Sequence, residues 1–143
     1  MRLIIQRVTK ASVTKLQSNE VVGSITNGLF ILVGIKKGDT SRSADQLAEK
    51  LIKLRVMSDE NDKMNLAAAD FLIVSQFTLY ANTKDGNRPS FIDAAAPDDA
   101  KKIYEHFIEK VKSLGGKVET GSFGDYMKID AALDGPVTII LET

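Results

Sequence analysis

The chain has 143 residues, 43% of them hydrophobic and 27% charged, the size and balance of one globular domain with a single sizeable core. Nineteen basic and nineteen acidic residues cancel, which argues against a long groove tracking a duplex but leaves a grip on one nucleic-acid end open. The chain contains no cysteine, so disulfides, thiolate nucleophiles and cysteine metal sites are excluded.

The opening "MRLIIQRVTK" shows no cleavable signal pattern and predicts a strand over Met1 to Val8. No apolar run approaches the roughly 20 residues that cross a bilayer, so a cytoplasmic location is expected. "SVTKLQSNEVVGSI" predicts a hairpin with Ser18-Asn19-Glu20 at its tip. "GLFILVGI", Gly28 to Ile35, is apolar throughout and predicts a central strand buried on both faces. A helix follows, capped by Thr40 or Ser41, with Ala44, Leu47, Ala48, Leu51 and Leu54 at helical spacing. "SDENDKMN" predicts a polar loop.

Phe71 to Val74 predicts a buried strand that runs on through Ser75, Gln76, Phe77 and Thr78 to Tyr80. Strand alternation would put Ser75 and Phe77 on one face and Gln76 and Thr78 on the other. A long loop from Tyr80 to Pro97 leads to a second helix, opened by Pro97-Asp98-Asp99 and closed by Gly115-Gly116. Its buried stripe is Ile103, Tyr104, Phe107, Ile108, Val111 and Leu114. "KVETGSF", "DYMKIDAAL" and "PVTIILET" predict three closing strands, with Asp134-Gly135 as a turn. Two helices and seven or eight strands make an α+β domain with mostly antiparallel pairing.

The usual catalytic sets are thin. His106 is the only histidine, which excludes a His-rich zinc site, and its helical position points it away from the apolar stripe toward solvent. No glycine-rich phosphate loop is present. The acidic clusters "SDEND" and "PDDA" read as a loop and as a helix N-terminus.

Two stretches stand out. "SQFT" places Ser75, Gln76 and Thr78 at the inner end of a buried strand, where each polar group left unpaired costs roughly 1–3 kcal/mol. A strand running out into solvent is the plain alternative. "DGPVT", Asp134 to Thr138, is an ordinary tight turn or a cis X-Pro bond that presents two unshielded carbonyls.

"SQFTL" at 75–79, "RPSF" at 88–91 and "DGPVT" at 134–138 together resemble the D-aminoacyl-tRNA deacylase family. "IIQRVTKASVT", "GLFILVGI", "KMN" at 63–65 and "TGSFGDYM" at 120–127 extend the likeness, in order, over essentially all of residues 1–143. The resemblance implies one α+β domain with a barrel-like mixed sheet and two main helices. It implies hydrolysis of the ester between a D-amino acid and the terminal adenosine of tRNA, and clearance of glycine from mischarged tRNA. It also implies a homodimer without metal or other cofactor, each subunit inserting its Gly-Pro into the partner's site.

By motif, Ser75, Gln76, Phe77 and Thr78 would line the ester site. Gly135 and Pro136, joined by a cis bond, would screen chirality with their carbonyls. Arg7 would position that segment, and Phe123 and Met127 would lie near the adenine. One departure is Leu133, where the family usually has Asn. It slightly favours a non-catalytic module that binds an RNA end or a small ligand on the same fold, whereas intact "SQFT" and "GPVT" favour an enzyme.

Overall fold

A computed structural model of the chain describes residues 1–84 and 86–143. Eight strands and two helices follow in the order β1 (Arg2–Lys15), β2 (Glu20–Ile25), β3 (Gly28–Gly34), α1 (Ser41–Ile52), β4 (Arg55–Ser58), β5 (Met64–Ala67), β6 (Asp70–Ser75), α2 (Pro97–Ser113), β7 (Lys117–Thr120) and β8 (Met127–Glu142). A 3-10 turn, Phe77–Tyr80, stands between β6 and α2.

β1 and β2 form the expected hairpin, and Asn19 supplies the left-handed residue at its tip (φ +55°). Ile25 lies opposite Ala11 and Gly28 opposite Val8, so β2 and β3 return one after the other along β1. β8 pairs antiparallel with β1 from Arg2 to Lys15. β3, β6 and β7 are parallel neighbours, joined by crossovers that carry α1 and α2. The pairing is therefore mixed.

The sheet curls until β2 meets β7. A Cβ on Gly23 would stand 2.3 Å from the Thr120 carbonyl oxygen, so only glycine permits this near-closure into a barrel. One core fills the space between sheet and helices, around Leu3, Ile31, Leu47, Phe71 and Phe107. A second, around Val13, Phe30, Leu72 and Val74, fills the barrel side. β3 contributes to both, which explains its unbroken apolar sequence.

Three expectations change. The polar stretch after α1 is the tip of a small hairpin, β4–β5, whose register irregularities hide any alternation in its sequence. Leu54 lies beyond the end of α1 but still packs on the core. The last two predicted strands are one, β8, and Asp134-Gly135 is a bulge within it. Long β1 keeps pairing on both sides of the irregularity, which holds the strand together. The loop from Tyr80 to Pro97 is borne out, position 85 lying outside the described residues. Among the described residues, no helix is long and apolar enough to cross a membrane.

Candidate active site

β3 and β6 end side by side, with Val33 paired to Ser75. The Gln76 N–H still donates to the Val33 carbonyl at 2.7 Å, but the chain then leaves the sheet. Phe77–Tyr80 coil into the 3-10 turn, with Leu79 N–H donating to Gln76 O at 3.3 Å and Ala81 N–H to Thr78 O at 3.0 Å. The expected strand through Tyr80 is thereby corrected, and its alternation of faces does not apply. Gly34 is the physical reason. A Cβ there would come within 2.9 Å of Leu79 Cβ and 3.1 Å of Tyr80 Cε2, so the turn folds down onto a bare stretch of β3.

The turn gathers Gln76, Phe77 and Thr78 at one edge. Gln76 Nε2 donates to Thr78 Oγ1 at 2.5 Å. That bond leaves Gln76 its second amide hydrogen and Thr78 its own hydroxyl proton. Ser75 and Gln76 are half-buried and Thr78 is exposed. Phe77 is 58% exposed and meets Phe91 edge to face, ring centroids 5.0 Å apart. Phe91 was not assigned a role from the sequence, although "RPSF" carried the signal. Mutual backbone hydrogen bonds between Asn82 and Ser90, both 2.8 Å, hold that loop in place.

Phe123 and Met127 belong to the same end of the sheet. Gly121 N–H donates to Ile73 O at 3.1 Å, extending the β6–β7 pairing past Thr120. A Cβ on Gly121 would lie 3.0 Å from Met127 Sδ and 3.3 Å from Val74 Cγ2, so Met127 packs over the end of β6. Phe123 leans on buried Tyr104, centroids 5.6 Å apart, and the Tyr104 hydroxyl donates to Ile73 O at 2.8 Å. Asp125 pairs with Lys15 at 2.7 Å and accepts from the Ser122 hydroxyl. Lys15 foremost, then Ser122, holds the Asp125 carboxyl below its ordinary value.

Burial foremost, then the Asp39 carboxylate, pushes the Tyr80 phenol up to about 12, and burial pushes Tyr104 up as well. Folding therefore favours both neutral phenols. The stability this lends is full below the unfolded value near 10 and is lost as pH rises toward 12. Tyr80 and Tyr104 are expected to stay protonated at pH 11 in the folded protein and to ionise together with alkaline unfolding. Phenolate absorbance read alongside circular dichroism checks this.

Gly135 and Pro136 lie elsewhere. Their peptide bond is cis, Gly135 has φ +118°, and both sit in the β8 bulge between Leu133, opposite Val8, and Thr138, opposite Gln6. Arg7, only 9% exposed, lies under the bulge. It donates to Val56 O at 2.9 Å and to Ser58 Oγ at 3.4 Å. Its Nε stands 2.9 Å from Asp134 Oδ2, an ion pair whose angles are not those of a hydrogen bond, so Nε itself has no hydrogen-bond partner among the described residues. Leu133 is 48% exposed.

Within one chain these two groups do not meet. Arg7 is opposite Leu29 and Ser75 opposite Val33, so four residues of β3, about 13 Å, separate them along the strand. The structure brings Ser75, Gln76, Phe77 and Thr78 to the same sheet end as Phe123 and Met127, and places Arg7 with Gly135 and Pro136 at the other. His106 sits on the exposed side of α2, 2.9 Å from Asp45 of α1, at the surface as its spacing implied. Asp59 accepts the N–H groups of Asn61 and Lys63 in the β4–β5 turn, and Asp98 and Asp99 occupy the first turn of α2. Among the described residues, no three His, Asp or Glu side chains are grouped to hold a metal ion.

The chain as a whole is similar to known proteins. The chain is 46% identical to the D-aminoacyl-tRNA deacylase of Thermosipho melanesiensis and 48% identical to that of Flavobacterium johnsoniae, all of it aligned with 97% of each relative. A solved structure described as c-Myc DNA Unwinding Element Binding Protein superposes with a TM-score of 0.92 at 35% identity, covering 100% of this chain and 99% of that one. A probable eukaryotic D-amino acid tRNA deacylase superposes with a TM-score of 0.85 over 99% of this chain and 98% of that one; at 15% identity this speaks for the fold alone. Residues 4–142 match the family described as D-Tyr-tRNA(Tyr) deacylase, and the chain belongs to that family.

Proposed function

We propose that the protein hydrolyses the ester joining a D-amino acid to the terminal adenosine of tRNA, releasing the amino acid and the tRNA. One observation carries this reading: Gln76, Phe77 and Thr78 are displayed on a 3-10 turn at the mouth of the sheet, the end that also holds Phe123 and Met127. Family membership supplies the substrate class. A cytoplasmic location goes with it.

Ester cleavage needs donors preorganised for an oxyanion, often the largest catalytic term. The N–H groups of Phe77 and Thr78 open the 3-10 turn and have no partner within it, and Gln76 keeps one amide hydrogen. These are the proposed oxyanion donors. No histidine activates a nucleophile, since His106 is held by Asp45 on the helical surface. The ribose hydroxyl beside the ester therefore positions water. The water oxygen bonds to the ester carbonyl carbon, the carbon–ribose oxygen bond breaks, and a water proton passes to the departing oxygen.

The Gly135-Pro136 carbonyls are the proposed chiral wall, and a second copy supplies them. The 13 Å separation within one chain supports this, as does the outer edge of β8, which pairs with no strand among the described residues and exposes Ile140 at 61%. A backbone wall reads only the α-carbon, so many D-amino acids and glycine pass and L-amino acids do not.

Thr78→Ala is expected to lower kcat about tenfold and leave measurable turnover, with no aminoacyl-protein trapped by acid quench. Complete loss of turnover with binding intact would establish Thr78 as the nucleophile instead.

A further inference from the structure

The 3-10 turn that carries Phe77 and Thr78 has little of its own to keep its shape, being four residues long with an exposed outer face. Its N-terminal side is fixed by the Gln76 bond to Val33, and its floor is Gly34. Its C-terminal side is held by a residue far away in sequence. Arg2 pairs with Gly34 across β1 and β3, which places its side chain beside the turn. One guanidinium nitrogen donates to Leu79 O at 2.7 Å, and the guanidinium carbon stands 5.1 Å from the Tyr80 ring centroid. Arg2 Nε donates to Glu142 Oε1 at 2.5 Å, and Glu142 lies opposite Arg2 in the β1–β8 ladder.

From this geometry we infer that Arg2 is a positioning residue, whose planar fork, oriented by Glu142, fixes the Phe77–Tyr80 turn and so the aim of the Phe77 and Thr78 donors. A half-exposed Arg–Glu pair contributes little to stability by itself. Its effect lies in geometry: the fork spends one nitrogen on the turn and one on Glu142, and its face on Tyr80. A lysine ammonium is a point charge without that fork. The inference rests on the deacylase reading for its catalytic consequence but not for the ordering of the turn.

The experiment reads both. Arg2→Ala, Arg2→Lys, Glu142→Gln and a remote core control, Ile52→Ala, are compared for kcat and KM on D-Tyr-tRNA, thermal midpoint, and amide hydrogen exchange by NMR. Arg2→Ala is expected to lower kcat at least tenfold with KM within about twofold. Exchange at Leu79 and Ala81 should quicken at least tenfold while Ile73 and Val74 stay unchanged. Arg2→Lys should fall between the two proteins, Glu142→Gln should shift both readouts less in the same direction, and Ile52→Ala should lower the midpoint while leaving kcat alone. Unchanged exchange at Leu79 and Ala81, or kcat within twofold of the parent, overturns the assignment. Should Arg2→Ala fail to fold, the Arg2→Lys and Glu142→Gln series decides by the same two readouts. If the parent protein releases nothing from D-Tyr-tRNA while exchange still responds to Arg2, the deacylase reading fails and the clamp stands.

Discussion

Gly135→Ala is expected to lower the release of tyrosine from D-Tyr-tRNA about 100-fold, the loss that goes with roughly 1 Å of misplacement at a reacting centre. At φ +118° the backbone of Gly135 is in a region that residues with a Cβ avoid. A Cβ there would also stand 2.8 Å from Val137 Cγ2 and 2.9 Å from Val137 N, neighbours within the same bulge that have little room to move. Relief requires the bulge to shift, and the carbonyls of 135 and 136 shift with it. Because the β1–β8 pairing continues on either side, the strain stays local, and the thermal midpoint is expected to fall by only a few degrees. Steady-state kinetics on D- and L-Tyr-tRNA, with a melting curve, separate the two effects. An unchanged rate would remove Gly135 from the site.

Arg7→Ala should act mainly on stability. The guanidinium is buried, bonds Val56 O and Ser58 Oγ, and faces Asp134. Its removal leaves the Val56 carbonyl without this donor and Asp134 without its cation, on β4 and β8 respectively. Losing the two hydrogen bonds of the buried guanidinium together with its partly exposed ion pair costs roughly 3 kcal/mol. For a chain of this size that corresponds to a fall in thermal midpoint of about 10 °C. Activity should fall as well, because Asp134 precedes Gly135 and holds the bulge to Arg7. A melting curve with a midpoint within 2 °C of the parent would show that Arg7 does not anchor the bulge.

Much of the fold was legible because its signals are strong and local. β3 announces itself by an unbroken apolar run, α2 by Pro97 at its start, Gly115 at its end and a regular stripe between them. What stayed hidden depends on contacts distant in sequence. Phe77–Tyr80 has the composition of a strand, and only the bare surface of Gly34 draws it into a turn. Asp134-Gly135 has the composition of a hairpin turn, and only the length of β1 keeps β8 whole. The short hairpin β4–β5 has irregular register and no alternation to betray it. For the candidate site, the motifs singled out the proposed residues, but the division between Gln76–Thr78 at one end of β3 and Gly135–Pro136 at the other is a property of strand register that no local pattern encodes. The role of Arg2 is hidden for the same reason, since 77 positions separate it from Leu79.

The most direct test is the rate at which the purified protein releases tyrosine from D-Tyr-tRNA and from L-Tyr-tRNA under identical conditions. Rapid release from the D-form with the L-form left intact is the expected result, and it would hold together the ester site, the chiral wall and their supply from two copies. Release from neither form would contradict the enzyme reading outright and bring forward a module that binds RNA ends. Equal release from both would contradict the Gly135-Pro136 wall, with Leu133→Asn, beside the bulge, the first substitution to make.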